Sequence, residues 1–380
     1  MFQGEYVAPF VRAVLHVAPM RLIVAGGGTG GHLFPGVAIA EEVKARDPGA
    51  EVLFVGTARG IEARVCPKLG WNLELIDASG LKTVGALGAL RGLARVPRAL
   101  WQSRRIVRRF RPDAVLGVGG YASGPVVLAA RLAGVPTAIL EPNSVPGLAN
   151  KLVGRMVRHV FLAFDETRPY FSAKKTSLSG NPIRAQLSEK LLAASAASST
   201  ELPHLFCFGG SLGARAVNAL FADAVALLHA RGVRFTATHQ TGKDDLEPTR
   251  ARYAAAGITF VDVREFIDDM AREYGRADLV VSRAGATTVA ELTAVGRAAI
   301  LIPYPTAADD HQTVNARALA DAGAALVYKQ ADLTAPQLAD TLARLLGDRG
   351  ARAAMQSAMK ALSRPTAARD IVDWLAAQER

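Results

Sequence analysis

The chain reads Arg21-Leu22-Ile23-Val24-Ala25 and continues as Gly26-Gly27-Gly28-Thr29-Gly30-Gly31-His32. A short apolar run followed by clustered glycines predicts a buried strand, a tight turn and then a helix. We call residues 26–31 the first glycine turn. A turn of this kind points backbone N–H groups and the positive end of the helix at the space beyond the sheet. It therefore predicts a binding place for an anion or a polyol.

Two other interpretations of the first glycine turn stay open at this point. The glycine spacing loosely fits the dinucleotide fingerprint, which requires an acidic residue near the end of the next strand to bind ribose. That strand ends Phe54-Val55-Gly56-Thr57 and carries no acid there. In the other interpretation the glycines serve only the turn, and His32 caps the helix.

The remaining chain alternates short apolar strands with amphipathic helices, which predicts an α/β protein with parallel sheets. A length of 380 residues, 50% of them hydrophobic, exceeds one ordinary core. We therefore predict two doubly wound, Rossmann-like domains facing across a cleft. The strands are predicted at residues 22–25, 52–56, 73–77, 114–119, 137–140 and 157–163, and at 205–208, 235–238, 258–261, 279–282, 299–303 and 325–327.

The predicted boundaries follow from changes in composition along the chain. Residues 1–19 form an N-terminal extension outside the fold. The N-terminal domain covers 20–182, and a last helix within 366–380 crosses back onto it. A linker rich in Ala and Ser occupies 183–203, and the C-terminal domain covers 204–365.

Two more strand-to-helix turns lie in the second half. Residues 209–213, Gly-Gly-Ser-Leu-Gly, form the second glycine turn, whose amides and Ser211 hydroxyl suit a diphosphate. A third turn begins at Ser282 and leads to Glu291, a carboxylate able to accept both hydroxyls of a ribose. The alternatives are a chance pair of turns and a solvated helix glutamate.

The net charge of +11 arises entirely from residues 1–180, which have 23 Lys/Arg against 12 Asp/Glu. No acidic residue lies between Asp77 and Asp113. This basic, partly apolar segment predicts docking to an anionic membrane surface; a solvated helix face is the alternative. Nucleic acid is disfavoured, because Trp101 is the only aromatic interleaved with the basic residues between Lys82 and Arg109. The predicted membrane residues are Leu81, Lys82, Arg91, Arg95, Trp101, Arg104, Arg105, Arg108 and Arg109.

Several classes of protein are disfavoured by what the sequence lacks. No apolar run approaches the ~18–20 residues that span a bilayer, and residues 1–19 do not resemble a secretory signal. Cys66 and Cys207 lie in apolar segments and are expected to be buried thiols in a reducing compartment. The pairs Asp268-Asp269 and Asp309-Asp310 are not an Asp-x-Asp motif, so we expect no metal and no cofactor.

Taken together, the motifs resemble the MurG family of glycosyltransferases, family 28 with the GT-B fold, from about Met20 to the C-terminus. The matching motifs are the first glycine turn with His32, Glu141-Pro142-Asn143, Asn181-Pro182-Ile183-Arg184, Gly209-Gly210-Ser211, Phe266-Ile267-Asp268-Asp269-Met270, Ser282-Arg283-Ala284-Gly285 and Asp310-His311-Gln312. The chain departs from the family at Leu140-Glu141-Pro142-Asn143, where many members have His-Glu-Gln-Asn. It departs again at His311-Gln312, where many have Gln-Gln.

The resemblance implies inverting transfer of N-acetylglucosamine from UDP-GlcNAc to undecaprenyl-pyrophosphoryl-MurNAc-pentapeptide. It implies a peripheral protein on the cytoplasmic face of the bacterial cell membrane, with UDP-GlcNAc as substrate and no nucleic acid partner. A transferase for another lipid or a polyketide aglycone, and a nucleotide-sugar-binding or dinucleotide-binding protein without transfer activity, are the alternatives.

The resemblance also implies roles for individual positions. Arg184 and Ser211 lie near the diphosphate and Ile267 at the uracil. A base must also take the acceptor proton, and a helix N-terminus disfavours imidazolium. On that argument His32 is the candidate base or aligning residue, and Glu141 is the weaker candidate. The remaining substrate-binding positions surround the sugar and ribose: Thr29, Gly30, Gly31, Asn143, Ala286, Thr287, Thr288, Val289, Ala290, Glu291 and Gln312.

Overall fold

A computed structural model describes residues 19–78, 85–195, 202–210 and 213–378. The predicted N-terminal extension lies outside these ranges, apart from Pro19. The strands are β1 Arg21–Gly26, β2 Glu51–Gly56, β3 Asn72–Leu75, β4 Ala114–Gly119, β5 Thr137–Glu141, β6 His159–Leu162, β7 Thr176–Leu178, β8 His204–Phe208, β9 Thr236–Gln240, β10 Val261–Arg264, β11 Leu279–Ser282, β12 Ala298–Leu301 and β13 Ala325–Val327.

The helices alternate with these strands, as the sequence predicts. They are α1 Gly30–Arg46, α2 Glu62–Lys68, α3 Gly85–Phe110, α4 Ser123–Leu132, α5 Leu148–Val153, α6 Ala185–Ser195, α7 Arg215–Ala230, α8 Leu246–Ala255, α9 Met270–Arg276, α10 Ala286–Val295, α11 His311–Asp321, α12 Ala335–Gly347, α13 Arg349–Ala361 and α14 Ala367–Ala376.

Both sheets are parallel and doubly wound, which confirms the predicted fold class. The first has the order β3-β2-β1-β4-β5-β6-β7, and the second has the order β10-β9-β8-β11-β12-β13. Strand order reverses beside β1 in the first sheet and beside β8 in the second. Ligands of such sheets bind at this reversal, beyond the carboxyl ends of the strands. The first and second glycine turns follow β1 and β8, so each turn lies at the expected binding position of its sheet.

Each sheet is covered by helices on both faces. In the first domain, side chains of α1, α2 and α14 cover one face, and those of α3, α4 and α5 cover the other. The strands are therefore apolar on both faces, and Leu22, Ile23 and Val24 are all fully buried. Burying a side chain of this size contributes ~1.5–3 kcal/mol. Cys66 and Cys207 are buried free thiols, as expected.

Helix α14 lies against the first domain, although the chain reaches it from the second. Ile371, Val372 and Leu375 join the core formed by α1 and β1. Trp374 meets the ring of Phe161 edge-on at 5.8 Å, and Arg46 of α1 pairs with Asp373. The chain therefore crosses between the domains twice.

The predicted linker at 183–203 is wrong over most of the part that the structure describes. Residues 185–195 form α6, which packs against α9 and α10 of the second domain. Leu191 is fully buried there and Leu187 packs beside it. The four-residue spacing of these leucines gives one apolar helix face, which the Ala- and Ser-rich composition obscured. The first crossing is therefore confined to residues just before α6.

Candidate active site

The first turns of α1 and α10 face each other across the cleft between the domains. A Cβ at Gly31 would lie 4.0 Å from the Thr287 hydroxyl oxygen. That hydroxyl is buried and lacks a hydrogen-bond partner among the described residues. The amides of a helix's first turn have no acceptor within the helix. Two helix N-termini and an unsatisfied hydroxyl thus converge on one place.

The first glycine turn already holds a carboxylate from its own domain. Glu62 of α2 accepts hydrogen bonds from the Gly28 amide at 2.7 Å and the Thr57 amide at 2.8 Å. The Gly28 amide is therefore satisfied by an internal carboxylate, and an anion or polyol at the remaining amides of the turn stays a prediction. Thr29, Gly30 and Gly31 follow at the start of α1 and remain on the cleft side.

His32 lies in the first turn of α1, with its ring against the backbone at the end of β4. A Cβ at Gly119 would lie 2.5 Å from the ring's Cδ2, so glycine is needed there to leave room for the imidazole. Nδ1 is 3.0 Å from the Thr29 hydroxyl. Burial of the ring, and secondarily His311 of the second domain, lower the His32 pKa to about 4, while Glu62 opposes this. The imidazole is therefore neutral near pH 7, chiefly because of burial rather than the helix N-terminus.

Glu141 lies at the end of β5 and is almost completely buried. Its carboxylate accepts from the Asn143 amide at 3.0 Å, the Gly147 amide at 3.2 Å and the Asn150 side chain at 2.9 Å. Burial raises its pKa to about 7, against the effect of these donors. Both oxygens are engaged in holding the loop after β5, so this geometry favours His32 over Glu141 as the base.

Asn143 lies on that loop and meets α11 of the second domain through Asn315, a residue that the sequence analysis missed. Asn315 accepts from the Ser144 amide at 2.9 Å and the Ser144 hydroxyl at 2.5 Å. Its Nδ2 donates to the Ala284 carbonyl at 3.2 Å and lies 3.4 Å from the Asn143 Oδ1. Asn315 thus joins the two domains beside the candidate site.

We expect Asn315→Ala to reduce the free energy of unfolding by about 2–4 kcal/mol, because it leaves two buried Ser144 donors without an acceptor. Urea denaturation measures this. The matched control is Asn72→Ala, which removes an exposed carboxamide. A loss no larger than the control's would show that Asn315 does not join the domains.

The other predicted residues of α10 and α11 divide between two places. Thr287 and Glu291, four residues apart, share one side of α10, and the Tyr274 hydroxyl donates to Glu291 at 2.9 Å. Gln312 of α11 accepts from the Tyr304 amide at 3.0 Å. Ala286, Val289 and Ala290 instead line a cavity of about 290 Å³ between the domains. Val289 is also buried in the second core, and Thr288 is partly buried. The placement of this run around the ribose and the sugar stays a prediction.

The nucleotide end of the site lies around β8 and β9. Gln240, at the end of β9, accepts from the Ile267 amide at 2.8 Å and donates to the Gly210 carbonyl at 3.2 Å. It therefore joins the loop expected at uracil to the second glycine turn. Ser211 lies outside the described residues.

Arg184 forms an ion pair with Glu41 of α1 in this structure. Its Nε and Nη2 lie 2.8 and 2.7 Å from the Glu41 Oε1 of α1. The ion pair therefore holds the crossing segment before α6 against α1 of the first domain, and the contact of Arg184 with a diphosphate stays a prediction.

The predicted membrane segment forms α3 over Gly85–Phe110. Trp101 is 62% exposed, Arg104, Arg105 and Arg108 are exposed, and Arg109 pairs with Glu74. Leu81 and Lys82 lie outside the described residues, as do the side chains of Arg91 and Arg95. The side of α3 that the structure describes is thus basic, with an exposed indole.

Within the described ranges, no group of three or more His, Cys, Asp or Glu side chains is arranged to hold a metal ion. No helix in those ranges is long and apolar enough to cross a membrane.

The facing Rossmann-like domains and their paired helix N-termini define a nucleotide-sugar glycosyltransferase of the GT-B class. The chain belongs to glycosyltransferase family 28, because the family's N-terminal domain matches residues 22–162 and its C-terminal domain matches residues 204–371.

Sequence and structural relatives agree with this assignment. A UDP-N-acetylglucosamine--N-acetylmuramyl-(pentapeptide) pyrophosphoryl-undecaprenol N-acetylglucosamine transferase from Myxococcus xanthus is 52% identical, over 93% of this chain and 92% of its own length. The enzyme of that name from Geobacter sulfurreducens is 47% identical, over 95% and 99%. The crystal structure of Acinetobacter baumannii MurG matches with a TM-score of 0.79 and 33% identity, over 94% of this chain and all of that one.

Proposed function

We propose that this protein transfers N-acetylglucosamine from UDP-GlcNAc to the MurNAc C4 hydroxyl of undecaprenyl-pyrophosphoryl-MurNAc-pentapeptide. The observation that carries the proposal is the meeting of His32 and the α1 N-terminus with Thr287 and the α10 N-terminus across one cleft. A neutral base on one side and a donor-binding surface on the other are what glycosyl transfer requires. The relatives' names give the same donor and acceptor.

The reaction proceeds by displacement at the anomeric carbon. The acceptor oxygen forms a bond to C1 from the face opposite UDP, and the C1–O bond to the diphosphate breaks with its electron pair passing to phosphate oxygen. The hydroxyl proton passes to His32 Nε2 and then to solvent. Nδ1 must then carry a hydrogen and donate to the Thr29 hydroxyl, so Thr29 sets the tautomer.

Negative charge on the departing UDP is stabilised by amides of the second glycine turn and the N-terminus of α7. Gln240 holds the turn through the Gly210 carbonyl. This set of donors supports a reaction that uses no metal.

Glu291 is proposed to accept the ribose hydroxyls. Burial raises its pKa to about 7, so it gains a proton as the pH falls below neutrality and loses acceptor capacity. We expect UDP-GlcNAc affinity to weaken between about pH 8 and pH 6 in calorimetric titrations. Glu291→Gln should bind the donor about 10–100-fold more weakly, because hydrogen bonds to a charged acceptor are lost, and without this pH dependence. Exposed Glu247 provides the control variant, Glu247→Gln, and wild-type affinity in Glu291→Gln would contradict the assignment.

We propose that the protein docks peripherally on the anionic cytoplasmic face of the membrane through the layer formed by α3, α4 and α5. Leu132 at the end of α4 is 73% exposed, and Leu152 and Met156 are exposed beside it. Arg131 donates to the Met156 carbonyl at 3.1 Å. These apolar side chains and Arg131 belong to the same helix layer as Trp101 and the arginines of α3, and such a combination suits a surface of anionic headgroups.

Calorimetric titration with UDP-GlcNAc, UDP-glucose, UDP-galactose and NAD⁺ tests the donor assignment. We expect UDP-GlcNAc to bind most tightly and NAD⁺ to show no binding. Preferential binding of NAD⁺ would contradict the proposal and favour the dinucleotide interpretation.

A further inference from the structure

We propose that Glu62 is a positioning residue for transfer: its buried carboxylate fills the first glycine turn and thereby fixes Thr29 and His32. This inference rests on the proposed function, because it assigns Glu62 a role only in the chemical step. The hydrogen-bond partners of Glu62 are Gly28 and Thr57, neither of which is assigned to substrate.

The first observation is that Glu62 is buried and that both of its carboxylate oxygens accept hydrogen bonds. The residue is only 1% exposed. Oε2 accepts from the Gly28 amide at 2.7 Å, and Oε1 accepts from the Thr57 amide at 2.8 Å and the Thr57 hydroxyl at 3.2 Å. One carboxylate therefore joins the turn after β1 to the turn after β2. Charge-assisted bonds of this kind hold a backbone more firmly than neutral ones.

The second observation is that three glycines make room for this carboxylate. A Cβ at Gly27, Gly56 or Gly60 would come within 2.3, 2.3 and 2.1 Å of Glu62 side-chain atoms. Real Cβ atoms do not approach so closely without displacing a neighbour. A pocket for the Glu62 carboxylate is therefore formed by Gly27 of the first glycine turn, Gly56 at the end of β2 and Gly60 after β2.

The third observation is the short path from Glu62 to His32. Gly28, which donates to Glu62, immediately precedes Thr29, and the Thr29 hydroxyl lies 3.0 Å from His32 Nδ1. The carboxylate also favours the protonated imidazole and so opposes the effect of burial on the His32 pKa. Glu62 therefore influences His32 in two ways. It fixes the position of the Thr29 hydroxyl, and its negative charge favours the protonated imidazole.

The Glu62 carboxylate also restricts where the acceptor can bind. A pyrophosphate that approached the Gly28 amide would meet this carboxylate, and like charges repel. The turn therefore orients His32 and the start of α1 instead of binding that pyrophosphate through Gly28.

Glu62→Gln tests the inference, because it keeps the shape but places an NH₂ group against a backbone N–H and removes the charge. We expect kcat for acceptor-dependent UDP release to fall about 10–100-fold, with the KM and Kd for UDP-GlcNAc within twofold of wild type. The acid limb of the kcat profile should move to lower pH, since the charge that favours imidazolium is gone. Glu51→Gln, an exposed glutamate on β2, is the control.

Gly60→Ala is an independent second variant, because it keeps the charge and displaces the carboxylate. We expect the same selective loss of kcat, with thermal unfolding and donor affinity confirming a folded second domain. Wild-type kcat and an unchanged pH profile in both variants would overturn the inference. Parallel loss of donor affinity would overturn it as well, since Glu62 would then only stabilise the fold. Absence of transfer by the wild type would instead contradict the proposed function.

Discussion

His32→Ala is expected to lower kcat by about 10²–10⁴-fold, the usual contribution of a general base, while leaving the Kd for UDP-GlcNAc unchanged. In the proposed mechanism the donor binds to the second domain, and His32 meets the acceptor oxygen from the first. Because burial lowers its pKa to about 4, the imidazole is ready to accept a proton over the whole neutral range. In the pH profile of kcat, the acid limb should therefore lie near pH 4, and this limb should be absent in His32→Ala.

The control for this variant is His229→Ala, which removes an exposed histidine from α7. Thr29→Val should give an intermediate loss, because His32 keeps its ring but loses the hydroxyl that selects its tautomer. Turnover near the wild-type rate in His32→Ala, with intact donor binding, would remove His32 as the base.

Reversing Arg104, Arg105, Arg108 and Arg109 to Glu is expected to weaken binding to vesicles containing anionic lipid by about 10²–10³-fold, since each basic residue near such a surface contributes roughly 1 kcal/mol. Activity on the lipid-linked acceptor should fall with it. The proposed donor site lies in the other domain, so UDP-GlcNAc affinity should not change. Co-sedimentation with vesicles at low and high salt measures the effect, which salt should diminish.

A variant with the same change in net charge on the second domain is the matched control. Arg234, Arg272, Arg344 and Arg349 are exposed there, and their reversal to Glu should leave vesicle binding nearly intact. Equal vesicle binding by the α3 variant and the wild type would exclude this surface. Equal loss in both variants would show that net charge alone draws the protein to the vesicle.

The fold was predictable because its signals are local. Alternation of apolar runs with helical spacing gave the two parallel sheets, and the glycines after β1 and β8 marked the places where strand order reverses. Two elements were missed because their apolar pattern is short or lies among small residues. The three-residue β7 was too short to register, and the leucines of α6 were hidden among Ala and Ser.

The site was less predictable because its key contacts join residues far apart in sequence. The dinucleotide alternative requires a ribose-binding acid at the end of β2, and the chain has none there. The carboxylate beside the first glycine turn instead comes from Glu62 on α2 and binds the turn itself. Asn315 meets Ser144 from 171 residues away, and no periodicity encodes that pairing. The burial of Glu141, which favours a structural role for it, likewise depends on tertiary packing. Individual candidate residues could be predicted from the sequence, but the residues to which they form hydrogen bonds could not.

Acceptor-dependent release of UDP tests the proposed transfer most directly. Purified protein is incubated with UDP-GlcNAc, with and without undecaprenyl-pyrophosphoryl-MurNAc-pentapeptide in anionic vesicles, and UDP and the lipid product are quantified together. We predict that UDP forms only when the acceptor is present, in equal amount to a product that has gained one N-acetylglucosamine in β linkage. Equal UDP release without the acceptor, or UDP formation without the glycosylated lipid, would contradict transfer.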